Sequence, residues 1–337
     1  MTRAAPVVIV GGGIAGLSLA HALAERACPA VVLERGRIGR QGASSGPAAL
    51  INPHRGRSAR AHPDDLAGMT AFWRTVDALE AMGLDPGARR SGVLRIAPGP
   101  ARARAWRKLE SGRWLEPDEV PAPFTAPHGA LLAEDGGWVQ PRALLAALRR
   151  ASEALGAEVH EGVRALRIEP RRGGVEIITS AGRLRASHVV LCVGADPAPA
   201  LPAAPPPLAA VAGEVVTVPL QVPLATLAEA PGPALGGSVY AAFDGEHAFV
   251  GGGHRDPEAP DPEGPKRLLQ RLDRVVPGTG AAAATALWSA VRARGETPRP
   301  LVTEVAPAIT FFGALSGRGF LCSAGLAARL ADNLTKP

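Results

Sequence analysis

The chain carries only three cysteines, Cys28, Cys192 and Cys322, far apart in its 337 residues. That number and spacing exclude a disulfide scaffold and any Cys-x-x-Cys zinc or redox centre. They suit a reducing cytoplasm, and no metal site is expected. Lysine is equally scarce. Lys108, Lys266 and Lys336 are the only three, so nearly all of the 37 basic residues are arginine, against 31 acidic ones, for a net charge of +6. The planar arginine fork suits phosphate. The plainer source of the bias is a GC-rich coding sequence, consistent with the abundance of Ala, Gly and Pro. No block of like charge is long enough to form a nucleic-acid-binding tail. Glycine (40) and proline (33) are plentiful but follow no G-x-y period, which excludes collagen. With 46% apolar and 20% charged residues, the chain can build a sizeable core.

Residues 4–24 contain no Asp, Glu, Lys or Arg. On hydropathy alone this stretch could be a signal peptide or a membrane span. Its interior argues otherwise. Gly11, Gly12, Gly13 and Gly16 would weaken a free-standing helix, and the β-branched run Val7-Val8-Ile9-Val10 reads as a buried parallel strand. Ile14 to Arg26 then reads as a helix packed on that strand. Gly11-x-Gly13-x-x-Gly16 is the turn a dinucleotide site needs: a sharp bend, close backbone approach to a pyrophosphate, and tight helix–strand packing. A second strand, Ala30 to Leu33, ends in Glu34, whose carboxylate can accept hydrogen bonds from ribose hydroxyls. The following stretch, Gly42-Ala43-Ser44-Ser45-Gly46-Pro47-Ala48-Ala49-Leu50, is small and polar, then apolar. It can run alongside an extended cofactor, which points to a buried flavin dinucleotide rather than NAD.

Further along, Asp64 to Met82 reads as a helix whose apolar residues belong to the core. Val93 to Ala97 reads as a strand, Ala101 to Leu109 as a basic helical piece, and residues 110–130 as a proline-rich connection. A helix starts at Pro141 and stops at Gly156. Val159 to Ile168 and Val175 to Thr179 read as strands, Val189 to Ala195 as a buried strand ending in glycine, and Pro197 to Pro207 as a linker. Glu214 to Leu220, Ser238 to Phe243 and Ala248 to Val250 alternate like antiparallel strands, with a hairpin signal at Asp244-Gly245. Residues 265–276 form an amphipathic helix, Trp288 to Arg294 a strand, and Ser323 to Leu334 the last helix.

Five stretches, in order, resemble the D-amino-acid oxidase family of FAD-dependent oxidoreductases: VVIVGGGIAGLSLAHALA with VVLER; GASSGPAALINP; GGWVQPRALLAALRRASEALGAEV; RASHVVLCVGA; and GRGFLCSAGLAARLADNL. That group includes glycine oxidase, sarcosine oxidase and the flavin domain of the tRNA-modifying enzyme MnmC. The second and last stretches look most like MnmC. The resemblance implies an α/β fold: a Rossmann-like FAD-binding domain with a central parallel sheet, interleaved with an α+β substrate domain on an antiparallel sheet. It assigns residues 1–80, 138–205 and 296–337 to the first domain, and 81–137 and 206–295 to the second.

It also implies roles for matched positions. Gly11, Gly13, Ile14, Ala15 and Gly16 would hold the diphosphate of a non-covalent FAD, with Glu34 on the ribose and Arg35 near the adenosine. Ala43 and Ser44 would touch the diphosphate. Ala48, Ala49 and Leu50 would lie near the flavin ring, Ala165 would meet adenine through its backbone, and Gly194 and Ala195 would flank the cofactor. Gly317, Arg318, Gly319, Phe320 and Leu321 would contact the pyrimidine end of the isoalloxazine, where a helix N-terminus stabilises the charge that collects on reduction. Trp288-Ser289-Ala290-Val291-Arg292 resembles the W-x-G-L-R of amino-acid oxidases, which makes Arg292 the candidate clamp for a substrate carboxylate and Arg294 the fallback. Arg318 matches the basic position of the MnmC terminus, and Tyr240 lies near a family substrate tyrosine.

The implied reaction is oxidation of a C–N bond in a small amine or amino acid. Hydride passes to flavin N5, and water hydrolyses the resulting imine. His54 and His254 are the candidate bases. Two other readings remain: an MnmC-like demodification of carboxymethylaminomethyl-uridine in tRNA, and a flavin-binding protein without turnover. The sequence departs from the family pattern at Gly251-Gly252-Gly253-His254, at Thr297 to Val302, and at Ala324-Gly325. No membrane association is expected.

Overall fold

The computed structural model describes residues 5–220, 233–258 and 261–336; the side chains of His254 and Arg255 also lie outside the described residues. Val7–Val10 forms a fully buried strand near the middle of a six-stranded sheet. The strands run in the order Leu301–Ala306, Ile309–Gly313, His188–Leu191, Val7–Val10, Ala30–Glu34 and Glu158–Glu161. Neighbours are parallel throughout, except for the edge hairpin formed by the first two. Parallel strands need cover on both faces, which is why these read as continuous apolar runs.

The helix Ile14–Ala24 supplies part of that cover, and every one of its residues is buried. It packs against the last helix, Gly319–Leu334, and against Pro141–Ala154. The last helix thus begins four residues earlier than the sequence reading placed it, directly after a 3₁₀ turn at Ser316–Arg318. It also crosses Pro63–Ala81 closely: a methyl on Gly68 would lie 2.7 Å from the carbonyl oxygen of Leu321.

The expected single strand from Val159 to Ile168 is two. Glu158–Glu161 closes the parallel sheet, and Ala165–Arg171 opens a separate antiparallel sheet with Gly174–Thr179 and Gly182–Ala186. Gly162 makes the break, with φ +75°, a conformation that side chains rarely adopt. The expected linker is also more than a connection. Ala200 exchanges backbone hydrogen bonds with Leu166 and Ile168, 2.9 Å each, which ties this proline-rich segment to the small sheet.

The second large sheet has eight strands, in the order Ala286–Arg294, Ala209–Pro219, His247–Arg255, Tyr240–Phe243, Ala234–Leu235, Val93–Ile96, Ala130–Ala133 and Arg113–Leu115. All neighbours are antiparallel except Ala234–Leu235 with Val93–Ile96. At the hairpin tip the Asp244 carboxylate accepts the amides of Glu246 and His247, at 2.9 and 2.6 Å, and Gly245 has φ +104°. The helix Gly264–Asp273 buries Leu268, Leu269 and Leu272 on this sheet. No helix among the described residues is long and apolar enough to cross a membrane.

Candidate active site

A cavity of about 1440 Å³ runs from the glycine turn, past the N-terminus of the last helix, to the eight-stranded sheet. That exceeds the roughly 300–1,000 Å³ of a typical small-ligand pocket and suits an extended dinucleotide with room to spare.

At one end, backbone does the shaping. Gly11 adopts φ +112°, and a methyl there would lie 2.4 Å from the Cys192 carbonyl oxygen. Gly13 caps the first helix without a side-chain hydrogen bond, and no acid sits in the first turn. The positive end of the helix therefore faces the cavity, as a diphosphate requires. Ser44 Oγ accepts the Ile14 amide at 3.2 Å, which holds the Gly42–Gly46 loop against that turn. Glu34 accepts the amides of Gly12 and Gly36, both at 2.8 Å, so its carboxylate is fixed at the strand end with lone pairs left for ribose hydroxyls. Arg35 pairs with Asp196 at 2.8 Å across the mouth of this end. An FAD diphosphate and ribose fit this cradle of glycine, helix end and carboxylate.

The middle is narrower and apolar. Ala48, Ala49 and Leu50 line it, with Leu50 on a strand paired to Trp138. The indole of Trp288 donates to Ser45 Oγ at 3.0 Å, and that hydroxyl donates to the Gly42 carbonyl at 2.9 Å. The cofactor loop is thereby bonded to the strand that carries Arg292.

At the far end the chemistry belongs to side chains. The Arg292 guanidinium lies over Gly213, where a methyl would come within 2.6 Å of Nη2. Its Nη2 donates to the Gly253 carbonyl at 2.9 Å, and its Nε is buried without a partner. Burial lowers its pKa, opposed by Tyr240. The Tyr240 ring lies across Gly251 on the paired strand, where a methyl would sit 2.2 Å from Cζ. Burial pushes the Tyr240 phenol up to about 12, against the opposing effect of Arg292, so it stays a neutral donor.

Two more arginines complete this end. Arg55 donates to the Gly317 carbonyl at 2.9 Å. Burial lowers its pKa, and so do Arg318 and Arg292, while Asp65 acts the other way. Arg95 donates to the carbonyls of His54 and Gly56, the latter at 2.8 Å, and lies 5.1 Å from the Trp106 ring. Burial, and then Arg55, bring its pKa down to about 10, which still leaves it cationic at neutral pH.

Most of the expected residues line one cavity: Gly11, Gly13, Ile14, Ala15, Glu34, Arg35, Ala43, Ser44, Ala48, Ala49, Leu50, Ala165, Gly194, Ala195, Gly317, Gly319, Phe320, Tyr240 and Arg292. Three do not. Gly16 packs behind the turn, where a methyl would lie 1.9 Å from the Gly11 carbonyl oxygen. Leu321 is 1% exposed and points into the core between the helices, one residue past the edge of the cavity. Arg318 turns away: its Nε lies 3.1 Å from the buried Asp65 carboxylate and its Nη1 donates to the Pro298 carbonyl. It anchors the start of the last helix instead of facing a substrate.

His54 is a poor base. It borders the cavity, but its Nδ1 donates to the Ala59 carbonyl at 2.7 Å, and Nε2 lies 3.0 Å from where a methyl on Gly112 would sit. Burial keeps it neutral. The His254 side chain lies outside the described residues.

Arg55 and Arg95 were missed by the sequence reading. Arg95 had a signal: an arginine within the apolar strand Val93-Leu94-Arg95-Ile96 is costly to bury without a purpose.

A parallel sheet, a glycine turn with a bare helix end, and one cavity leading from them define a dinucleotide-dependent enzyme. More narrowly, the chain belongs to the FAD-dependent oxidoreductase (DAO) family, whose sequence model matches residues 6–333. Its cofactor is FAD. It is 29% identical over 204 residues to a glycine oxidase of Bacillus licheniformis, covering 58% of this chain and 55% of that protein. It is 27% identical over 339 residues to the bifunctional MnmC protein of tRNA 5-methylaminomethyl-2-thiouridine biosynthesis of Maricaulis maris, covering 98% of this chain and 52% of that protein. These matches thus span about half the length of those relatives. In fold it is similar to glycine oxidase from Geobacillus kaustophilus, with a TM-score of 0.81, 23% identity, and coverage of 99% of this chain and 95% of that one.

Proposed function

We propose that the protein oxidises the C–N bond of an amine that bears a carboxylate, giving an imine that water hydrolyses. The observation that carries this reading is Arg292: a cation fixed over Gly213 beside the neutral Tyr240, at the end of the cavity that begins at the glycine turn. FAD, when bound, supplies the hydride acceptor. The protein's own part is positioning. Arg292 binds the carboxylate through a charge-assisted hydrogen bond, Tyr240 donates to it, and the apolar walls at Ala48, Ala49 and Leu50 exclude water from the reacting carbon. Among the described lining residues none is placed as a strong base, His54 being held by the Ala59 carbonyl, which suits a substrate that arrives with its amine already deprotonated.

The reading assigns residues 1–80, 138–205 and 296–337 to cofactor binding, and 81–137 and 206–295 to the substrate side. The three cysteines are free thiols, which supports a reducing, cytoplasmic setting. The test is anaerobic bleaching of the flavin by glycine, sarcosine, proline and D-amino acids. Bleaching by at least one is expected, and bleaching by none would remove the reading. A second reading, oxidation of a modified tRNA uridine, is favoured by the exposed arginines Arg57, Arg102 and Arg271 on the lining. It requires tRNA binding that weakens steeply with salt.

A further inference from the structure

The substrate end holds more positive charge than one carboxylate balances. Arg55 and Arg292 converge: a methyl on Gly317 would lie 2.9 Å from Arg55 Nη2 and 3.6 Å from Arg292 Nη1. Arg95 comes next, electrostatically coupled to Arg55. It is 7% exposed, and its Nε has no hydrogen-bond partner. Carbonyls accept from Arg55 Nη1 and from both terminal nitrogens of Arg95, and the Trp106 face lies near Arg95, but neither supplies a negative charge.

The acids of the described lining are elsewhere. Glu34 and Asp196 belong to the glycine-turn end, where the first accepts backbone amides and the second pairs with Arg35. Glu214 directs Oε2 toward Gly264, where a methyl would sit 2.4 Å from it. The nearby Asp65 lies 3.1 Å from Arg318. Three cations, Arg95 buried and Arg55 and Arg292 half-buried, therefore line one cavity, and the carboxylate of a simple amino acid would answer only one of them.

We propose that the substrate carries two anionic groups, one held by Arg292 and the other by Arg55 and Arg95, making the protein selective for amino dicarboxylates over simple amino acids. This rests on the amine-oxidation reading given above. Asn52, whose amide nitrogen lies near Gly236 beside the Arg95 stem, lines the same cavity.

Two measurements test it. The first compares kcat/KM for iminodiacetate with sarcosine, and for aspartate and glutamate of each configuration with alanine. A preference of at least ~10-fold for the dianion of a pair is expected, the size of a lost charge-assisted hydrogen bond. Arg55→Gln and Arg95→Gln should shrink it toward parity. The second titrates the wild-type holoprotein with malonate, succinate and acetate at equal ionic strength, reading the flavin spectrum and the melting temperature. It needs neither turnover nor a variant. Malonate or succinate should bind at least ~10-fold more tightly than acetate. Parity in the wild type, or a preference untouched in both folded variants, would overturn the proposal. If no amine bleaches the flavin but malonate or succinate still binds selectively, the dianion pocket stands and the oxidation reading falls. Bleaching by modified tRNA without competition from malonate or succinate would overturn the dianion proposal and leave a flavin oxidase.

Discussion

The two ends of the cavity are built from different materials. At the glycine turn the contacts come from backbone, a helix end and one fixed carboxylate. At the far end they come from long cationic side chains laid over glycines on neighbouring strands. A backbone cradle fails when a methyl is added; a side-chain chamber fails when a charge is removed. The first kind of site accepts one cofactor and tolerates little change. The second can be retuned one residue at a time.

The sharpest way to break the cradle is Gly11→Ala. The new methyl would meet the Cys192 carbonyl at 2.4 Å in a left-handed conformation, and bound FAD should fall by ~100-fold or more in affinity, read as loss of visible absorbance on purification. Arg292→Ala does the reverse. FAD content should be unchanged, while kcat/KM for a carboxylate amine drops by about 100-fold, the upper range for a charged hydrogen bond. Next in size, Gly68→Ala forces a methyl to 2.7 Å from the Leu321 carbonyl, where the last helix crosses. About 1–3 kcal/mol of stability should be lost, seen as a lower denaturation midpoint.

Smaller still is a shared pH effect. His21, His54 and His188 have pKa values lowered by burial. The unfolded chain then takes up protons that the folded chain refuses, so their contribution is present above about pH 6.5 and is lost as pH falls below it. The melting temperature should decline between about pH 7 and 5. The smallest effect is Arg35→Ala. Its partnership with Asp196 is 40% and 46% exposed, so FAD affinity should change by no more than about twofold at physiological salt.

The same contrast explains what was legible in the sequence. Gly11, Gly13, Glu34 and Ser44 lie within one stretch of 34 residues, in a pattern whose spacing is its meaning. Arg55, Arg95, Tyr240 and Arg292 come from four distant segments, joined only by strand register and by the crossing of a cofactor loop with Trp288. Arg292, which lines the cavity, stood out because its strand carries a recognisable motif. Arg55 and Arg95 have none; Arg95 is marked only by its apolar neighbours Val93, Leu94 and Ile96, and Arg55 by nothing local. Arg318 misled for the opposite reason. It occupies a recognisable position, but the buried Asp65, whose helix packs on the last one, draws it away from the chamber. Glycine was hard to read at Gly162, where the sequence suggested one unbroken strand, and at Gly68, Gly213 and Gly251, where what matters is another segment passing close by.

The strand Ile309–Gly313 and the helix that follows it complete both the parallel sheet and the wall beside the glycine turn. The wall opposite the turn therefore exists only once two segments far apart in sequence have docked, and a ligand seated between them holds them together. Loaded protein should accordingly melt at a higher temperature than the same protein stripped of FAD, and its first helix should exchange amide hydrogens more slowly.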